Sequence, residues 1–157
     1  MRVPPVEEER SPSEKLELAI RNLFELLAHP DPSYQPFVHF TERTRLFFVV
    51  TQPGGLAETK MFEGEPARRS LTAMFGPKPD ISFSFGQPEV DVDGAFGRAR
   101  LRIMVKGGAK SPDCGFAYVD AVLAPPGKWA RAATQGQWQF TQVTVSFEKI
   151  SLKPCPS

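Results

Sequence analysis

The sequence has few cysteines, no long apolar run and almost no net charge, and each of these features excludes a class of protein. Among its 157 residues there are two cysteines, Cys114 and Cys155, with no CxxC spacing and no neighbouring histidine. This pattern argues against a metal site. No apolar run approaches the roughly 20 residues that a membrane helix needs. The formal net charge of +1 gives no global field that would attract nucleic acid or an anionic membrane.

The same absences set expectations for location and cofactors. Residues 1–12 include Glu7, Glu8 and Glu9, where a signal peptide would be apolar. We therefore expect a soluble, cytoplasmic protein with two ordinary thiols, and a disulfide between them is the less favoured alternative. Because the sequence has no nucleophile elbow, dinucleotide fingerprint or P-loop, we expect no cofactor and no metal.

The length is that of one domain. We predict a loose tail at 1–10, one α+β domain at 11–149 and a second tail at 150–157. The domain begins with a capping box, since Ser11 is followed by Pro12 and by Glu14, which can reach back to the cap. Apolar residues at helical spacing then predict a first helix: Leu16, Ile20, Leu23, Phe24 and Leu27.

Residues 80–108 predict one long β-hairpin around which the rest of the chain is organised. Its first arm alternates phenylalanine and isoleucine with serine, and its second alternates apolar residues with Arg98, Arg100 and Arg102. Each arm therefore has one face to bury. Asp93 and Gly94 between the arms suit the positive φ of a tight turn.

The other patterns complete an α+β order of elements. They predict a short or broken helix at 32–41, strands at 46–51 and 58–62, a helix at 67–75, and strands at 115–123 and 138–147. Helices come first and long strands follow. This order favours a curved antiparallel sheet with the N-terminal helices packed on its concave face.

The chain resembles the nuclear transport factor 2-like superfamily, also described as SnoaL-like or cystatin-like cone proteins. The resemblance covers about 16–147 and rests on the order of loose motifs: FEGEPARRSL at 62–71, VDVDGAF at 90–96 and GQWQF at 136–140. It implies a conical, largely apolar pocket enclosed by sheet and helices, and a homodimer formed through the outer sheet face. Members include isomerases, cyclases and proteins that only bind or assemble, so the fold does not fix the function.

The resemblance carries over one of three isomerase-type site residues. The family's helix tyrosine falls at Phe24 and its general base at Phe48, which have no acid–base chemistry, whereas its proton-donating aspartate falls at Asp120. A carboxylate in an apolar strand must be paired, solvated or protonated. A protonated Asp120 would act as a general acid. The alternative is an outward-facing Asp120 paired with an arginine of the neighbouring strand.

Further candidates surround the implied pocket. His39 could act as a base or bond to Asp120, and Tyr118 could donate to an enolate-like oxygen. The alternatives are a structural histidine near a helix end and a tyrosine that packs in the sheet. The expected ligand-binding wall is aromatic: Phe24, Phe48, Trp138 and Phe140.

The arginines at 98, 100 and 102, with Arg43 and Arg45, have two interpretations. They form either a basic patch or the solvated outer face of the sheet. No interleaving of aromatic and basic residues is present, so we do not expect a nucleic-acid partner.

Two functions remain open from the residues. The first is a cofactor-free protein that binds a small apolar, polyketide-like or steroid-like ligand in its pocket, with or without general-acid chemistry. The second is a non-catalytic dimerisation or assembly module that uses the same sheet. The loss of two of three isomerase-type residues favours the module, and a carboxylate inside a strand favours the binder.

Overall fold

The computed structural model describes residues 11–51, 56–107, 113–123 and 137–148. Two helices, α1 (Pro12–Ala28) and α2 (Glu65–Phe75), occur in these ranges together with seven strands. The strands are β1 (Phe40–Thr51), β2 (Ala57–Glu63), β3 (Ile81–Phe85), β4 (Glu89–Asp93), β5 (Phe96–Gly107), β6 (Asp113–Leu123) and β7 (Trp138–Glu148). The predicted tails, the turn at 52–55, the loop at 108–112 and the connection at 125–136 lie outside the described residues.

Helix α1 begins at the predicted capping box. The Ser11 side chain accepts a hydrogen bond from the backbone N–H of Glu14 at 3.2 Å, and Pro12 occupies the first turn. The five apolar residues predicted for its inner face are all buried. One helical stripe therefore packs on the sheet, as the periodicity predicts.

The strands form one open sheet in the order β2-β1-β7-β6-β5-β3, and β4 also pairs with β5. The α+β class is confirmed. The prediction of a wholly antiparallel sheet is wrong for one pair, because β1 and β7 run parallel. These strands are far apart in sequence, so no tight turn imposes an antiparallel direction on them.

The predicted hairpin is confirmed, with a break in its first arm. Strands β3 and β4 both pair antiparallel with β5, and between them the Gly86 N–H donates to the Arg102 carbonyl at 2.8 Å. Gly94 adopts the positive φ, +61°, of the turn. In β5, Ala99, Leu101 and Ile103 are buried on the face towards the helices.

The prediction of a short helix at 32–41 is wrong. Residues 32–39 form turns, and β1 already begins at Phe40. Asp31 holds the first turn, because its side chain accepts from the Ser33 N–H at 2.9 Å and its carbonyl from the Tyr34 N–H at 3.0 Å. Pro36 has no N–H to continue a helix.

The prediction of two ordinary thiols is also wrong. Cys114 in β6 is disulfide-bonded, and Cys155, the other cysteine of the sequence, lies outside the described residues. Because disulfides persist mainly in oxidising compartments, the cysteines no longer support a cytoplasmic location, which stays a prediction. None of the described helices has the length and apolar character needed to cross a bilayer.

Candidate functional site

Aromatic side chains fill the space between the concave face of the sheet and the helices. Phe24 of α1 packs against Phe75 of α2 at 5.6 Å between ring centroids and against Phe85 of β3 at 5.1 Å. Phe75 also contacts Phe83 at 5.0 Å. These edge-on and tilted contacts are the preferred aromatic geometries. The interior of the cone is therefore packed around Phe24.

Three of the four residues predicted to bind ligand belong to this core. Phe24 and Phe140 are each 1% exposed and Trp138 is 2% exposed. Phe48 is half-buried and packs against Phe147, with 6.2 Å between ring centroids. Their aromatic surfaces already contact protein side chains.

A small cleft lies beside Phe24 at the edge of the core. Its volume is about 160 Å³, and it is lined by Arg21, Phe24, Glu25, Phe85, Gly86, Gln87 and Leu101. Ligand pockets usually measure about 300–1,000 Å³. The cleft is thus smaller than a site for a steroid-like or polyketide-like molecule.

Trp138 connects the start of β7 to the start of α1. Its indole N–H donates to the Pro12 carbonyl at 2.9 Å. A Cβ at Gly97 would lie 2.5 Å from Leu16 and 3.0 Å from the indole ring. A glycine at this position therefore lets the helix and the indole approach β5 closely.

His39 and Thr44 connect the start of β1 to β7 through hydrogen bonds. The His39 ring donates through Nδ1 to the Trp138 carbonyl at 2.8 Å, and its own carbonyl accepts from the Phe140 N–H at 2.8 Å. The Thr44 hydroxyl, fully buried, donates to the Phe140 carbonyl at 2.6 Å. Sequence reasoning missed Thr44, because a threonine among polar strand residues carries no signal of a contact 96 positions away.

Burial lowers the pKa of His39, and the hydrogen bond to the Trp138 carbonyl opposes this shift. The folded state therefore binds fewer protons at this imidazole than the unfolded state does. The resulting stabilisation is complete above the unfolded pKa of about 6.5 and is lost as pH falls from there through the lower folded pKa.

Replacing His39 with asparagine is expected to weaken this pH dependence, because the asparagine amide can also donate to the Trp138 carbonyl but does not titrate. Urea unfolding between pH 8 and pH 5 would measure it. The His29→Asn variant, which removes an exposed histidine at the end of α1, should retain the wild-type slope. An equal slope for wild type and His39→Asn would contradict the assignment.

Asp120 lies on the outer face of the sheet, opposite Arg98 of β5. The Arg98 guanidinium donates through Nε to the Asp120 carboxylate at 2.8 Å. This hydrogen bond and, next, the charge of Asp120 raise the pKa of Arg98. This placement is the alternative given by the sequence, in which Asp120 faces outward and pairs with an arginine of the neighbouring strand. Asp120 does not line the cleft beside Phe24.

The three residues predicted to be catalytic do not come together. Tyr118 shares the outer face with Asp120, is 37% exposed and packs beside Phe116 at 6.2 Å. The His39 ring forms its hydrogen bond with the backbone at the start of β7 and not with Asp120 or Tyr118. A proton relay among the three therefore has no geometric support.

The outer-face arginines lie next to carboxylates. Arg100 donates to Glu89 at 2.8 Å, and Arg45 lies 3.6 Å from Glu63. These exposed pairs fit the interpretation as a solvated outer face. Across the described ranges, no group of three or more histidine, cysteine, aspartate or glutamate side chains could hold a metal ion.

An uncharged strip crosses the centre of this outer face. The strand registers place Met61, Phe47, Thr144 and Tyr118 in one row, and Thr59, Val49, Ser146 and Phe116 in the next. We call the apolar members the outer strip: Phe47, Val49, Met61, Phe116 and Tyr118. Met61 is 52% exposed, and the described helices lie on the other face of the sheet.

Comparisons with known proteins rest on structure. No family model matches the sequence, and no curated protein matches it. A nuclear transport factor 2-like protein from Salmonella enterica is 13% identical, with 90% of this chain and 94% of that chain covered and a TM-score of 0.58. A ketosteroid isomerase-like protein from Shewanella frigidimarina is 12% identical, with 87% and 98% covered and a TM-score of 0.57. The CaMKII hub of S. rosetta is also 12% identical, with 88% and 98% covered and a TM-score of 0.54.

Proposed function

We propose that this chain, which has the nuclear transport factor 2-like fold, is a non-catalytic dimerisation module that pairs two copies through the outer strip. The observation that carries the proposal is the uncharged centre of the outer face, where Phe47 and Met61 lie side by side on β1 and β2. Phe116 and Tyr118 of β6 follow across the uncharged Thr144 and Ser146 of β7. Monomeric proteins rarely expose a large contiguous apolar patch without a binding role.

The charges around the strip suit a partner with the same surface. One flank of the strip is a single row across the strands that holds both signs, with Arg45 beside Glu63 and Arg98 beside Asp120. In a twofold dimer the same patch contacts itself, so a surface with both signs at its rim can complement itself. An apolar centre with a polar rim is the usual anatomy of an interface.

The packed interior also supports a module over a small-molecule binder. The cleft beside Phe24 measures only about 160 Å³, and two of the three isomerase-type positions hold Phe24 and Phe48. Similar structures include both an isomerase-like protein and a kinase hub, so likeness alone favours neither role. A hub among them accords with assembly.

Tyr118→Glu is expected to weaken dimerisation by about 30-fold or more, because twofold symmetry buries two unpaired carboxylates at once. Tyr118 is 37% exposed, so the folded monomer should tolerate the change. Sedimentation equilibrium of wild type and variant would measure the dissociation constants.

The matched control is Tyr34→Glu, since Tyr34 is 66% exposed in the turns that precede β1. This variant should dimerise as the wild type does. A wild-type protein that stays monomeric at about 100 µM, or equal dimerisation of the Tyr118 and Tyr34 variants, would overturn the proposal.

A further inference from the structure

A groove lies outside the cone, between the turns at 35–38 and the flank of α2. Its volume is about 610 Å³, which is within the usual range for small-molecule sites. Its lining combines two arginines and a glutamate with polar and apolar side chains: Gln35, Phe37, Val38, Glu65, Arg68, Arg69, Thr72 and Ala73. It shares no residue with the outer strip.

The start of α2 is held in a fixed position beside this groove. The Gly64 N–H donates to the Thr44 carbonyl at 3.0 Å. Gly64 has a φ of +69°, and a Cβ there would lie 2.9 Å from the Glu42 carbonyl oxygen. The helix thus begins against the backbone of β1, and the arginines of its first two turns project from a rigid element.

The groove has donors that its own residues do not satisfy. Arg69 is exposed and forms no ion pair within the described ranges. Arg68 lies 3.6 Å from Glu65, yet its Nε is buried and has no hydrogen-bond partner. The Arg68 side chain as a whole is 33% exposed, and an anion in the groove can approach its charge through this exposed part.

Part of the groove wall is apolar. Phe37 is half-buried against the core, and Val38 is 60% exposed, with Ala73 on the helix. Two guanidinium groups beside an apolar wall fit an anion that carries an apolar body. The planar guanidinium matches a carboxylate particularly well, because both can form two parallel hydrogen bonds.

We propose that this groove is a binding site for a small organic carboxylate, whose charged group lies at Arg68 and Arg69 and whose apolar body lies along Phe37 and Val38. The site is independent of dimerisation. If the groove does not bind carboxylates, the proposed dimerisation module is unaffected. If the chain does not dimerise, the proposed carboxylate site is unaffected.

The experiment titrates the ¹⁵N-labelled full chain with 2-naphthoate, and separately with 2-naphthylmethanol, which has the same ring system without the charge. We expect 2-naphthoate to shift the amide signals of the two elements that line the groove, 35–38 and 65–73. The neutral alcohol should bind at least about fivefold more weakly, since it cannot form charge-assisted hydrogen bonds.

Arg69→Gln should weaken 2-naphthoate binding about tenfold, which is the effect of losing one charged hydrogen bond. The matched control is Arg43→Gln, which removes one exposed arginine of β1 outside the groove and should leave the affinity unchanged. The proposal is overturned if the naphthoate shifts no signal up to about 10 mM, if the alcohol binds equally well, or if both variants bind like wild type.

Discussion

Phe24→Ala should lower the free energy of unfolding by about 3–5 kcal/mol, the usual range for truncating a buried phenylalanine. The ring is 1% exposed and contacts rings of both α2 and β3. Its removal leaves a cavity where one helix and the hairpin meet, and the neighbouring rings can fill that cavity only partly. Guanidinium unfolding at one fixed protein concentration would measure the loss, since the proposed dimerisation would make stability depend on concentration.

The control for this prediction is Phe24→Leu, which keeps most of the buried volume and should cost about 1–2 kcal/mol. The two variants together separate packing from ligand contact. If Phe24 lined an open ligand pocket, alanine would cost less than about 1 kcal/mol, and the packed interior of the cone would be contradicted.

Trp138→Ala should have a similar effect, a loss of about 3–5 kcal/mol, and for two reasons. The indole, 2% exposed, fills the space that Gly97 leaves beside Leu16. Its N–H also bonds to the Pro12 carbonyl, which would lose this partner. Because the contact joins the first helix to the last strand, hydrogen exchange should also show faster opening of α1.

Trp138→Phe keeps an aromatic ring but removes the indole N–H, so it should cost about 1–3 kcal/mol. An alanine variant that unfolds at the wild-type denaturant concentration would show that the indole does not hold α1 on the sheet. It would then again be a candidate for the predicted ligand wall.

Local signals predicted most of the elements of this chain. The capping box at Ser11 marked the start of α1, and the alternation in β5 identified Ala99, Leu101 and Ile103 as the buried face. The resemblance to the nuclear transport factor 2-like superfamily is confirmed at the level of the fold. These features depend on residues that are neighbours in sequence, and their physical causes are local.

Contacts between distant segments could not be predicted in the same way. Period-two alternation puts Asp120 and Tyr118 on one face of β6, but it does not say which face, and a shift of one residue reverses every side chain. The parallel pairing of β1 with β7 depends on the whole topology. The hydrogen bond from His39 to the Trp138 carbonyl joins residues 99 positions apart. The sequence around the histidine therefore does not predict this bond.

The prediction of the candidate site was limited in the same way, because the site also depends on contacts between distant segments. Phe24, Trp138 and Phe140 were predicted to bind ligand and are buried in the core. The sequence does not distinguish rings that line a pocket from rings that fill it. The groove beside Arg68 and Arg69 was missed, because it forms between α2 and turns where the sequence predicts a helix.

The most direct test of the central claim is an isotope-filtered nuclear Overhauser measurement on a sample that mixes ¹³C-labelled and unlabelled copies. It detects only contacts between side chains of different copies. We expect cross-peaks among Phe47, Val49, Met61, Phe116 and Tyr118. Cross-peaks that come from α1 or α2 instead would contradict dimerisation through the outer strip. The complete absence of such cross-peaks, at concentrations where sedimentation shows a dimer, would contradict it as well.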